Sequence, residues 1–94
     1  MSGIKIRNHS KYPNLRAFVS KFSNDKGSHE WFPVPAEFDD DEESFWAREG
    51  WDCVVFDDEE SKQRREWYLD SSNAVLEVTF FGFDEELGVD KHTE

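Results

Sequence analysis

The stretch Ala74-Val75-Leu76-Glu77-Val78-Thr79-Phe80-Phe81-Gly82-Phe83 carries the clearest periodicity in the chain. Ala74, Leu76, Val78 and Phe80 fall on one side of a two-residue repeat, and Val75, Glu77, Thr79 and Phe81 on the other. Side chains alternate across a strand, so this pattern predicts a β-strand with its first set turned inward. Asp70-Ser71-Ser72-Asn73 precedes it with four turn-forming residues. Before that turn, Arg65, Trp67 and Leu69 alternate with Arg64, Glu66 and Tyr68, giving a second strand.

The same reading extends toward the N-terminus. In residues 51–56, Trp51, Cys53 and Val55 share one face and Asp52, Val54 and Phe56 the other. The first set, which carries no charge, is expected to feed the core. Glu49-Gly50 marks a turn or bulge, and residues 44–48 form a short strand containing Phe45 and Trp46. Pro33 and Pro35 confine residues 31–35 to an edge or polyproline geometry, since proline donates no ladder hydrogen bond. Residues 15–22 and 4–7 supply two more strands. The latter alternates Ile4 and Ile6 with Lys5 and Arg7. Short strands separated by turns every 8–12 residues or so predict an all-β fold, a single compact antiparallel β-sandwich of about six to eight strands. Residues 1–94 form one domain, and 84–94 are expected to end it as a partly flexible acidic tail.

Composition supports that size of fold. With 94 residues there is room for one core, and nine Phe and four Trp supply it, because each aromatic buries about 150–250 Å². A lone Cys53 forms no internal disulfide and fits a reducing compartment. No basic segment followed by an apolar one opens the chain, and no apolar run nears 18 residues. The expectation is a soluble cytoplasmic protein without secretory signal or integral membrane segment. Net charge is −11, unevenly spread: residues 1–27 hold six Lys and Arg against Asp25 alone, and the carboxylates crowd the remainder. An averaged negative field repels phosphate and argues against nucleic acid as a partner. A homodimer joining the basic N-terminal strands to the acidic segments is a further expectation.

Two constellations suggest binding. The acidic pentapeptide DDEES occurs twice, at residues 40–44 and 57–61. It resembles the calcium-ligating segment of βγ-crystallins at Asp40, Asp41 and Ser44 and at Asp57, Asp58 and Ser61. Clustered carboxylates and a hydroxyl are the hard-oxygen donors that Ca²⁺ takes. The next residue is Phe45 in one copy and Lys62 in the other, where that segment has a second serine. The competing reading makes both copies solvated turns that guard strand edges. The second constellation is aromatic. Trp31 and Phe32, in a proline-stiffened loop, with Trp46 and Tyr68, are the candidate ligand-binding residues, because an amphipathic ring suits a sugar or a headgroup. Most other aromatics lie in strand phase with the core.

Enzymatic arrangements are poor. His9, His29 and His92 have no metal-ligand spacing, and Cys53 alternates with apolar neighbours as a structural thiol does. The opening Ile4-Lys5-Ile6-Arg7-Asn8-His9-Ser10 resembles the first strand of fungal aegerolysins and of actinoporin-like cytolysin and fruit-body lectin sandwiches. That resemblance implies a β-sandwich that recognises membrane lipid or glycan through exposed aromatics, and it assigns no binding residue. The expectation is therefore a non-enzymatic binding module for a glycan, lipid headgroup or protein, with no cofactor. The alternative is a calcium-stabilised structural domain.

Overall fold

The computed structural model describes residues 2–24, 30–34 and 45–93. Eight strands follow in order: β1 (Gly3–Asn8), β2 (Arg16–Val19), β3 (Phe32–Pro33), β4 (Phe45–Ala47), β5 (Trp51–Asp58), β6 (Gln63–Asp70), β7 (Ala74–Phe80) and β8 (Gly88–Thr93). They form two four-stranded sheets, β4-β1-β7-β8 and β3-β2-β5-β6. The inner faces pack on each other as a β-sandwich. Ile4, Ile6, Leu76, Val78 and Phe80 of the first sheet meet Ala17, Val19, Val54 and Phe56 of the second. At the centre Phe56 stacks on Phe80 with ring centroids 4.6 Å apart, and Trp67 meets both rings edge-on. The inward set read from residues 74–80 is the buried set.

One pair departs from the antiparallel expectation. β1 runs parallel to β7 over six residues, from Gly3 opposite Val75 to Asn8 opposite Phe80. Side-chain alternation is the same in both ladder types, so periodicity carries no information on direction. The acidic end also contains more order than its composition suggests. Gly88–Thr93 pairs antiparallel with Ala74–Thr79 as an edge strand, supported on its outer side by His92 Nε2 3.5 Å from Glu77 Oε2.

Two residues of β1 shape the sandwich. Asn8 is buried and donates from Nδ2 to the carbonyls of Tyr12 and Val34, while its Oδ1 accepts from Ser10 N–H. The Asn8-His9-Ser10 segment is thus a clamp holding the end of β1 to the loop after β3. Gly3 has a different task. A Cβ there would lie 2.5 Å from both the Phe45 ring and the Trp46 carbonyl, so only glycine lets β4 approach β1 this closely.

Candidate functional site

The phase of β5 decides what the second sheet shows to solvent, and the structure reverses the expected phase. Val54 and Phe56 are fully buried, whereas Trp51 is 61% exposed. Cys53 and Val55 lie on the outer side with Trp51, although Cys53 is still buried, as expected of a structural thiol, and Val55 half-buried. Asp52 is the reason the sequence misleads. It occupies the inner face at 0% exposure, with every carboxylate bond supplied locally. Oδ1 accepts from Ser20 Oγ at 2.9 Å and from Ser23 N–H at 3.2 Å, and Oδ2 accepts from Ser23 Oγ. Asp52 lies close enough for its charge to be felt by Arg48, whose guanidinium donates to the carbonyls of Ser20, Val19 and Ala47. Burial lowers the Arg48 pKa, and the nearby carboxylate opposes that shift. A buried charge of this kind is tolerated because it is bonded on all sides.

With that phase, the outer face of the second sheet assembles side chains from three strands and from the residue before β3. β5 presents Trp51, Cys53, Val55 and Asp57. Across the register, β6 presents Arg64 opposite Asp57, Glu66 opposite Val55, and Tyr68 opposite Cys53. β2 presents Arg16 and Phe18, opposite Asp57 and Val55. Trp31, just before β3, packs against Phe18 at 5.6 Å between centroids. Tyr68 is 62% exposed, nearly the same as Trp51. The result is an aromatic surface along one sheet.

Charge is placed at one end of this surface. Arg16 binds Asp57 in bidentate fashion, Nε at 2.9 Å and Nη2 at 2.6 Å, and its Nη1 lies 3.3 Å from Glu59. The guanidinium of Arg16 also lies 4.7 Å from the centre of the Trp31 ring, and that of Arg64 lies 5.3 Å from it. Both are cation–π contacts that hold the indole in place. Hydrogen bonding to Asp57 raises the Arg16 pKa above its ordinary value, against a smaller opposing effect of desolvation. A cavity of about 530 Å³ lies against Phe18, Trp31, Val55, Arg64, Arg65 and Glu66. The two guanidiniums are matched by the carboxylates of Asp57 and Glu59, so this end is locally neutral.

The four predicted ligand-binding aromatics separate. Trp31 and Tyr68 lie on the outer surface. Trp46 does not: it is only 5% exposed and belongs to the core, where it meets Phe32 edge-on at 5.7 Å. These two rings come from β4 and β3, the strands at the same side of the two sheets, and together they close that side of the sandwich. Phe32 is half-buried against the core for the same reason. The sequence missed Trp51, Phe18 and the two arginines as surface partners. The signal available was Asp52: a serine-rich segment, Ser20 to Ser23, could satisfy an inward carboxylate.

Of the acidic residues proposed as calcium ligands, Asp40, Asp41 and Ser44 lie outside the described residues. In the second copy both Asp57 oxygens face Arg16, and Asp58 Oδ2 accepts from Ser61 N–H and Oγ at 3.1 and 2.6 Å, closing its own turn. Asp57 and Asp58 point to opposite faces of β5, so the pair converges on no common ion. Among the described residues no group of three or more His, Cys, Asp or Glu is placed to hold a metal ion, and no helix is long and apolar enough to cross a membrane. No protein-family model, curated protein or solved structure matches this chain.

Proposed function

We propose that this protein is a non-enzymatic recognition module that binds a neutral glycan on the outer face of its second sheet. The observation that carries the reading is the gathering of Trp51, Tyr68 and Trp31 on that one face, with Trp51 and Tyr68 about three-fifths exposed. Large rings left in water on a rigid sheet are costly unless something covers them, and a sugar's apolar ring face suits an indole or phenol. Glu66, Asp70 and Arg64 border the rings on β6 and supply acceptors and a donor for sugar hydroxyls.

Charge selects the ligand class. Arg16 and Arg64 are balanced by Asp57 and Glu59 at the site, and the whole chain carries −11. A polyanionic glycan or an anionic lipid surface would be repelled by that field, whereas a neutral chain would not. Binding is favoured over catalysis because the buried acids are already committed: Asp52 to Ser20 and Ser23, and Asp57 to Arg16.

Titration calorimetry of hits from an array of neutral glycans tests the reading. Trp51→Ala and Tyr68→Ala are each expected to weaken binding by about tenfold or more, the scale of a buried aromatic anchor, while melting temperature is unchanged. Equal binding by wild type and both variants, or binding confined to lipid vesicles or proteins, removes the glycan assignment.

A further inference from the structure

We propose that the free edge of β6 pairs antiparallel with the β6 of a second copy, about a two-fold axis passing beside Trp67. Among the described strands, four lie at sheet edges. β3 has two residues, one of them Pro33, and β4 has three. Short strands and proline are ordinary ways of blunting an edge. β8 is six residues long with Asp90, Lys91 and His92 in a row, and charge also guards an edge. β6, the longest of the four, has no proline; all eight of its residues are paired with β5 on one side, and no described strand lies on the other.

Burial along the strand gives an independent indication. The core-facing residues of β5 are fully covered, but those of β6, Gln63, Arg65, Trp67 and Leu69, remain half-exposed. Trp67 and Leu69 both pack against the hydrophobic core and still reach water. The inner layer therefore stays open to water at Trp67 and Leu69, while Arg65 is tied to the carbonyls of Phe83 and Glu85.

Symmetry and charge then choose the register. A two-fold axis perpendicular to the sheet keeps inward residues inward only if opposed residues are both odd or both even in number. Pairing centred on Glu66 sets it against its own copy, and pairing centred on Arg65 does the same to arginine. Centring on Tyr68 puts Glu66 against Asp70. Centring on Trp67 sets no like charges opposite. It places Arg64 of each copy opposite Asp70 of the other, Glu66 opposite Tyr68, and Arg65 opposite Leu69. Opposite charges directly across a ladder stabilise it, and like charges destabilise it.

Both charged groups have capacity to spare. Arg64 makes a loose ion pair with Asp57 at 3.7 Å, because Asp57 Oδ2 is 2.6 Å from Arg16, and otherwise lies over the Trp31 ring at 5.3 Å. Asp70 Oδ1 accepts from Ser72 N–H and Oγ, and Oδ2 accepts nothing among the described residues. On the inner side the two Trp67 rings meet at the axis and cover each other. The product is a continuous eight-stranded sheet, β3-β2-β5-β6-β6-β5-β2-β3.

Sedimentation velocity across a concentration series in about 0.1 M salt tests this, since a single-strand interface at the small end of the size range gives micromolar association. Dimer is expected at about 100 μM and monomer at about 1 μM. Asp70→Arg, which sets two arginine pairs face to face, is expected to weaken dimerisation at least about tenfold, and Arg64→Asp likewise. The double swap Arg64→Asp with Asp70→Arg is expected to restore it. Asp70→Asn, which keeps the Ser72 bonds through its Oδ1, gives an intermediate loss without disturbing the turn. Wild-type monomer at every concentration overturns the proposal. A double swap no better than the single variants, with melting temperatures unchanged, overturns the register and the proposal with it.

Discussion

The two sheets of this sandwich turn very different outer faces to water. The first shows Lys5 and Arg7 on β1, Val75, Glu77 and Thr79 on β7, and Asp90 and His92 on β8, a mostly polar surface with Glu77 and His92 in contact and Phe81 exposed just beyond the end of β7. The second shows Trp31, Phe18, Val55, Tyr68 and Trp51, with paired charge at the end holding Arg16, Asp57 and Arg64 and with Glu66 and Asp70 beside the rings on β6. Both inner faces feed one apolar core, and the inward Asp52 of the second is bonded by Ser20 and Ser23, so core packing does not require the difference. A solvated sheet face needs only to be polar to serve its fold. The first sheet meets that requirement and the second exceeds it with aromatic rings, which is why the ligand surface is assigned to the second.

The hardest test of that contrast is a pair of substitutions on one strand. Phe56→Ala removes a ring stacked on Phe80 and fully enclosed, and is expected to cost about 3–5 kcal/mol in chemical denaturation. Trp51→Ala, five residues earlier and on the outer face, is expected to stay within about 0.5 kcal/mol of wild type. A large loss at Trp51 would make the outer aromatics structural and dissolve the distinction between the two outer faces.

Asp52 comes next in size. Replacing it by alanine strands the Ser20 and Ser23 hydroxyls and leaves the buried Arg48 without its nearby carboxylate. Removing one member of a buried charge network costs about 3 kcal/mol or more. The measurement is again denaturant unfolding. A neutral Asp52→Ala would mean that Arg48 is compensated without Asp52, the carbonyls of Ser20, Val19 and Ala47 among its acceptors, and that Asp52 does not set the phase of β5.

These two residues also mark how far the sequence could be read. The fold class, the inward set of β7 and the alternation of β6 follow from periodicity, because β7 keeps its one charge outward and β6 keeps Trp67 and Leu69 on the side away from Glu66 and Asp70. β5 breaks that rule. Its alternation is as regular as that of β7, but the face with the carboxylate is the buried one. Only the hydroxyls of Ser20 and Ser23, 32 and 29 residues distant in sequence, make that possible. The same error hid the candidate site, since a strand turned over moves Trp51 from surface to core. Trp46 fails in the other direction. Its neighbours Phe45 and Ala47 give too short a run to establish a phase, and its burial depends on Phe32 from the opposite sheet. Tyr68 and Trp31 were legible, the first from strand phase and the second from the prolines beyond it.

The smallest expected effect concerns Cys53, which lies on the aromatic face but is sheltered beneath it. Burial pushes its thiol up to about 12, and Glu66, whose Oε2 accepts the thiol hydrogen at 3.0 Å, pushes it the same way. An unfolded cysteine ionises near about 8.5. The folded state therefore holds its proton where the unfolded state has lost it. The stability this provides is whole below pH of about 8.5 and is lost as pH rises toward 12. Two results are expected: iodoacetamide at pH 8 labels the denatured chain and not the native one, and Cys53→Ala flattens the alkaline decline in stability. Rapid labelling of the native protein at pH 8 would show an ionised thiol on the outer face. That face would then offer reactive chemistry as well as rings, and the division between a polar sheet and a purely adhesive one would no longer describe it.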